Sequence, residues 1–198
     1  MPRPPNLEAR ARILEAACRL FHARGYRGVS MDDVAGAAGL KKANLFHYYP
    51  TKDALGLAVL DKMTACYKED VDRRLSGDGD PIKAVEAMFA ESARSMEESR
   101  CCRGCFIGNL AQELSDQNER LRLKISAFFG YWSGRLSELL ERGRARGYFR
   151  QDLDCAQSAE AILSLFEGAT LLAKANKKVA SLKNAGRMAS SYLKGLKA

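Results

Sequence analysis

The run from Ser30 to Tyr49 constrains this chain more than any other stretch. Ser30 is a strong helix N-cap, and Asp33, three residues on, completes a capping box. Val29 before the cap and Val34 after it can form the two halves of a hydrophobic staple. Ala35 is small enough for a second helix to cross closely. Gly39, four residues later, takes the positive φ that reverses a chain without strain. Leu45, six further on, is placed to pack the second helix back onto the first. A small residue, glycine at +4 and an apolar residue at +10 make the spacing of a helix-turn-helix. Its second helix would then turn Lys41, Lys42, Asn44 and His47 outward, within reach of phosphates and base edges in a major groove.

The remainder also reads as helix, because apolar residues recur at three and four positions and few segments alternate. A first helix is expected over 7–24, with Leu7, Leu14, Ala17 and Phe21 on one face. A second begins near Ser30, a third near Lys41, and a fourth runs from near Thr51 to about Leu75. A fifth spans about 81–98, after the loop Ser76–Pro81. Cys101–Gly104 makes a turn, and a sixth follows to Ser115. Asp116 is the expected cap of a seventh helix over 117–146, and Asp154 that of an eighth ending near Asn176. A ninth carries the stripe Val179, Leu182, Ala185, Ala189, Tyr192, Leu196. The expected fold class is therefore all-α, with about nine helices. Residues 1–54 are assigned to a helix-turn-helix DNA-binding domain and 55–198 to a helical ligand-sensing and dimerisation domain.

Composition fits that reading and narrows the function. At 46% hydrophobic residues the chain can build a core, yet no run of apolar residues is long enough to span a membrane. The first residues lack the apolar stretch of a secretion signal, so a cytoplasmic protein is expected, with its six cysteines kept as thiols. The net charge is +8. Residues 1–55 hold nine Lys/Arg against five Asp/Glu, an excess that supports DNA contact. Residues 168–198 hold seven Lys/Arg and no acid, which reads as a solvated helix face. No Ser/His/Asp set, phosphate-cradling glycine loop or histidine-rich metal site is visible, so neither an enzyme nor a cofactor is expected. A thiol redox enzyme would use Cys102 and Cys105, but the βαβ pattern that accompanies such a pair is missing. A helical scaffold with only electrostatic DNA affinity is the other alternative.

The segment Ser30-Met31-Asp32-Asp33-Val34-Ala35-Gly36-Ala37-Ala38-Gly39-Leu40, followed by Asn44-Leu45-Phe46-His47-Tyr48-Tyr49-Pro50-Thr51-Lys52-Asp53-Ala54-Leu55, resembles the TetR family of regulators. The resemblance is dense over residues 10–57 and thin beyond. It implies that 41–47 is the recognition helix, that Tyr48 and Lys52 contact phosphate, and that Ser30 belongs to the DNA-binding set. Tyr48 could equally just pack beside Tyr49. The sequence departs from the family pattern at Lys41, which cannot cap a helix as serine does, at Ala43, often glycine, and at Phe46, often tyrosine. The resemblance also implies a homodimer through helices eight and nine, reading a palindromic operator in double-stranded DNA.

Cys101-Cys102-Arg103-Gly104-Cys105 is the second unusual feature. Arg100, Arg103 and a helix start at Cys105 would each favour a reactive thiolate. The stretch resembles the NemR-type subgroup, which senses electrophiles and oxidants. Gly168-Ala169-Thr170-Leu171-Leu172-Ala173-Lys174 fits that subgroup's lysine-bearing helix, and implies that Lys174 lies near Cys105 and stabilises its thiolate. Cys105 is thus a sensor, a plain buried residue or, with fewer ligands to support it, part of a metal site. Lys174 is a sensor partner or a surface lysine. Cys102 with Cys105 could close under oxidation. Phe106, Trp132 and Phe166 are the expected liners of an effector cavity. The expected function is a transcriptional regulator, a repressor released by a small molecule or by modification of Cys105.

Overall fold

The computed structural model describes residues 7–198. Among them are nine helices: α1 (Leu7–Arg24), α2 (Met31–Ala37), α3 (Lys42–Tyr48), α4 (Lys52–Leu75), α5 (Pro81–Glu98), α6 (Phe106–Leu114), α7 (Glu119–Ala145), α8 (Cys155–Asn176) and α9 (Ala180–Lys194). The described residues contain only one isolated antiparallel bridge, Phe149 to Lys197. No helix among them is long and apolar enough to cross a membrane.

The chain forms two compact units. The first runs to Cys66 and adds Asn109–Ile125; the second comprises Tyr67–Gly108 and Ser126–Ala198. In the first, α2 packs on α1 and α3 packs on α2. Ile13, Ala17, Phe21, Val34, Leu45 and Leu55 are among its buried side chains, with the small Ala35. Leu7 stands 77% exposed, so the core face of α1 begins at Ala9 and Ile13, not at Leu7. In the second unit, α9 packs on α5 and α8.

Helix starts follow their capping chemistry. Asp80 Oδ1 accepts from the Ile82 N–H at 2.8 Å, with Pro81 in the first helical turn. Asp154 Oδ1 accepts from Gln157 N–H at 2.9 Å and opens α8. The α7 cap differs from the expected Asp116. Asn118 Oδ1 accepts from Leu121 N–H at 3.1 Å, and the helix begins two residues later than expected. The reason is local: the N–H groups of Gln117 and Asn118 both still close the end of α6 on the Leu114 carbonyl, at 3.0 Å each.

The α9 stripe also shifts. Val179, Leu182, Ala185 and Ala189 are buried as expected, but Tyr192 is 47% exposed and Leu193 is buried in its place. Eleven residues make about three helical turns, so Leu193 returns to the face of Leu182 while Tyr192 falls about 100° to one side. There its hydroxyl meets that of Ser158 on α8, at 2.8 Å.

Candidate functional site

The capping box at α2 is complete. Ser30 Oγ accepts from the Asp33 N–H at 3.1 Å, and Asp33 Oδ2 accepts from the Ser30 N–H at 2.7 Å. The hydroxyl of Ser30 also donates to Asp33, at 2.6 Å. Its one proton is thereby used inside the motif, so Ser30 serves α2 first. These bonds, with Arg24 Nη1 at 3.2 Å, hold the Asp33 carboxyl down at about 2. Val29 and Val34 are both buried, as the staple requires.

Between α2 and α3 the backbone reverses at Gly39, with φ +64°. A side chain there would be strained, and its Cβ would stand 2.8 Å from Arg12 Nη2. That guanidinium donates to the carbonyl of Ala38 and, at 3.3 Å, to that of Gly39. Arg12 therefore ties the turn to α1. Nothing in the motif's spacing pointed to it.

On α3, Leu45 is fully buried while Lys42, Asn44 and His47 are exposed, and Lys41 precedes the helix without a capping bond. The expected outward residues are thus all solvent-exposed, spread around the helix away from Leu45. Lys42 Nζ pairs with Asp32 at 2.9 Å and lies 6.0 Å from the Phe46 ring. Both partners of that pair are over 60% exposed, so the ion pair is weak and phosphate can compete for the ammonium. His47 stands edge-on to the half-buried Tyr48, with centroids 5.5 Å apart. Tyr49 is buried, and its hydroxyl accepts from Arg10 Nε at 3.2 Å.

Thr51 caps α4: its Oγ1 accepts from the Ala54 N–H at 3.1 Å. Lys52, at the first helical position, lies with Nζ 4.4 Å from the Tyr26 ring centroid. Burial pushes its ammonium downward against the attraction of Glu113, Asp53 and Asp33. A network that the sequence reading missed surrounds it. Tyr26 Oη donates to Asp53 Oδ1 at 2.7 Å, and Asn118 Nδ2 donates to Asp53 Oδ2 at 3.0 Å. Glu113 Oε2 accepts from the Arg27 N–H at 3.1 Å.

In the second unit Cys105 occupies the N-cap position of α6. Its Sγ accepts from the Gly108 N–H at 3.4 Å. That bond favours a thiolate, as a helix start should. Burial acts the other way and wins, and Glu167 on α8 adds to it, so the thiol is pushed well above its ordinary value. This reverses the expectation of a lowered thiol. Glu167 hydrogen-bonds Cys105 and is itself pushed up by burial. Its Oε1 is buried with no hydrogen-bond partner. Lys174 sits half-buried two turns further along α8, about 10 Å by helical rise. Glu167 left one mark in the sequence: it is the single charged residue between Ala161 and Ala173.

Cys102 is exposed and both it and Cys105 are free thiols. Phe106, Trp132 and Phe166 are all buried. Trp132 meets Phe166 at 5.0 Å and Phe128 at 5.9 Å, and Phe166 meets Phe89 at 5.3 Å. Trp132 Nε1 is buried and has no acceptor.

Residues 81–189 match the family described as "Tetracyclin repressor-like, C-terminal domain", more than half of the chain. This chain belongs to the TetR family. Residues 13–59 match the family's bacterial regulatory N-terminal part, which holds the helix-turn-helix built above. TetR-family proteins are DNA-binding transcriptional regulators, and that is what this chain is. Among curated relatives, the repressor NemR of Escherichia coli K12 is 26% identical over 179 residues, 90% of each chain. The regulator AcuR of Cereibacter sphaeroides is 27% identical over 163 residues, 82% of this chain and 74% of that one. The crystal structure of reduced E. coli NemR superposes with a TM-score of 0.85 at 26% identity, over 96% of this chain and 97% of that one. A TetR regulatory protein from Rhodobacter sphaeroides gives 0.85 at 25% identity, over 93% and 98%.

Proposed function

We propose that this TetR-family chain is a repressor that leaves its operator when an effector engages the second unit. The observation that carries the DNA half is the exposed set Lys41, Lys42, Asn44 and His47 on and before a helix whose Leu45 is fully buried. Asn44 and His47 read base edges, Lys41 and Lys42 meet phosphate or guanine, and Tyr48 and Lys52 anchor the backbone. Residues 1–54 act as the DNA-binding part and 55–198 as the sensing and dimerising part.

Two copies pair through α8 and α9, which keep Leu171, Leu172, Met188 and Tyr192 between 47% and 65% exposed. Large apolar side chains so exposed on adjoining helices suit an interface. Pairing would set two recognition helices about 34 Å apart, one turn of DNA.

The effector reading rests on Trp132. A buried indole N–H without an acceptor, walled by Phe166 and Phe128, suits a ligand with a carbonyl or other acceptor on an apolar body. Cys105 and Cys102 supply thiols for an electrophile, with Phe106 beside Cys105 in the chain and Lys174 along α8. The raised Cys105 thiol favours, as the second reading, a purely reversible apolar ligand. Operator binding measured with and without N-ethylmaleimide or hypochlorite, on wild type and Cys105→Ser, separates the two. Release of wild type but not of Cys105→Ser supports the thiol trigger. Wild type that stays bound throughout removes it and leaves the reversible ligand.

A further inference from the structure

The pair Cys105–Glu167 is a built arrangement. Cys105 stands at the head of α6, where its sulfur takes the Gly108 N–H at 3.4 Å. Glu167 reaches it from α8, and one carboxylate oxygen occupies the space that a side chain at Gly108 would fill. Glycine at 108 is therefore what lets the carboxyl approach the thiol. The other oxygen is buried without a donor. The carboxylate raises the thiol, and the thiol's hydrogen bond lowers the carboxyl. The cations of the preceding loop are Arg100 and Arg103, and that of α8 is Lys174.

We propose that Glu167 is a positioning residue that holds Cys105 in its protonated, unreactive form, so that α8 sets how readily the thiol meets an electrophile. Two acids share one half-buried site. The carboxyl is the stronger and ionises first; a second negative charge on sulfur a hydrogen bond away is then opposed by both repulsion and desolvation. The helix-start N–H that would favour a thiolate is outweighed. Only the thiolate adds to an electrophilic carbon: its proton goes to solvent, the S–C bond forms, and the displaced π electrons take a proton on the neighbouring carbon. The inference extends the thiol-trigger reading above and rests on it for its consequence, not for its test.

The test follows N-ethylmaleimide addition to Cys105 across pH 6–10 in the full-length protein. Trypsin cuts after Arg103 and Arg120, which isolates Cys105 in a peptide with no other cysteine. In wild type, Cys105 labelling should still be rising at a pH where that of free N-acetylcysteine, run beside it, has levelled off. Glu167→Gln should lower the Cys105 midpoint and speed labelling at pH 8 at least tenfold, one pH unit of midpoint being one factor of ten. Glu167→Asp, which keeps the charge, should hold the midpoint near that of wild type. An unmoved midpoint in Glu167→Gln overturns the proposal, as does faster labelling at every pH in both variants, which would mean a loosened site. Wild-type Cys105 levelling off together with N-acetylcysteine overturns it even if no variant folds. Operator binding of the labelled protein is scored separately: loss of the pH shift sinks the brake, while labelled protein that keeps its operator sinks the trigger alone.

Discussion

Arg12 of α1 donates to the carbonyls of Ala38 and Gly39, so the turn of the helix-turn-helix is clasped by the helix before it. Two carbonyls that a tight turn leaves without partners are satisfied by one guanidinium. Because Arg12 is exposed at its outer edge, its loss should be modest. Arg12→Ala is expected to destabilise by about 1 kcal/mol. Thermal unfolding should show the drop, and operator affinity should fall with it as α3 loses its fixed angle. Unchanged stability and affinity would mean the clasp does not hold the turn.

The capping box gives a pH signature. Ser30→Ala should cost about 1 kcal/mol near neutrality. Asp33 is held at about 2 in the folded chain, against about 3.9 when unfolded. A lowered folded value means stability that is present above the unfolded value and lost as pH falls through the folded one. The gap between wild type and Ser30→Ala should therefore narrow from about pH 4 toward pH 2. Denaturant titrations at pH 7, 4 and 2.5 would show it; a constant gap would refute the coupling.

Lys41 and Asn44 should behave differently on DNA. Lys41→Ala is expected to weaken binding to all sequences alike and to reduce the slope of log affinity against log salt by about 1. Asn44→Ala should cost about 1–3 kcal/mol on the operator and little on random DNA. Fluorescence anisotropy over a salt series with both duplexes distinguishes them. Equal losses on the two duplexes for Asn44→Ala would remove it from base readout.

The proposed pairing through α8 and α9 makes a prediction of its own. Leu172→Glu or Met188→Glu would place a charge on a face that is apolar in wild type. Either should shift sedimentation from dimer to monomer and abolish tight operator binding, while helicity by circular dichroism stays unchanged because neither side chain is buried. A dimer that survives both substitutions would place the interface elsewhere.

The helix-turn-helix was legible residue by residue because it is local. Ser30 with Asp33, the reversal at Gly39 and the packing of Leu45 are each decided within a few residues by capping geometry, backbone freedom and helical spacing, and the structure has them all. The α7 start was misplaced by the same local logic, since Asp116 and Asn118 are both good caps and only the end of α6 on Leu114 chooses between them. Arg12 and the Tyr26–Asp53–Asn118 network left no pattern, because their partners lie 26 to 65 residues away.

The sequence by itself determined that the chain is helical, where most helices begin and end, and which side chains of α3 face outward. Only the tertiary structure decided the character of Cys105. Local features, a helix start and two neighbouring arginines, argued for a thiolate. Burial and a carboxyl brought from 62 positions away on α8 argued against it and prevailed. Desolvation depends on everything packed around an atom, and no window of sequence contains that.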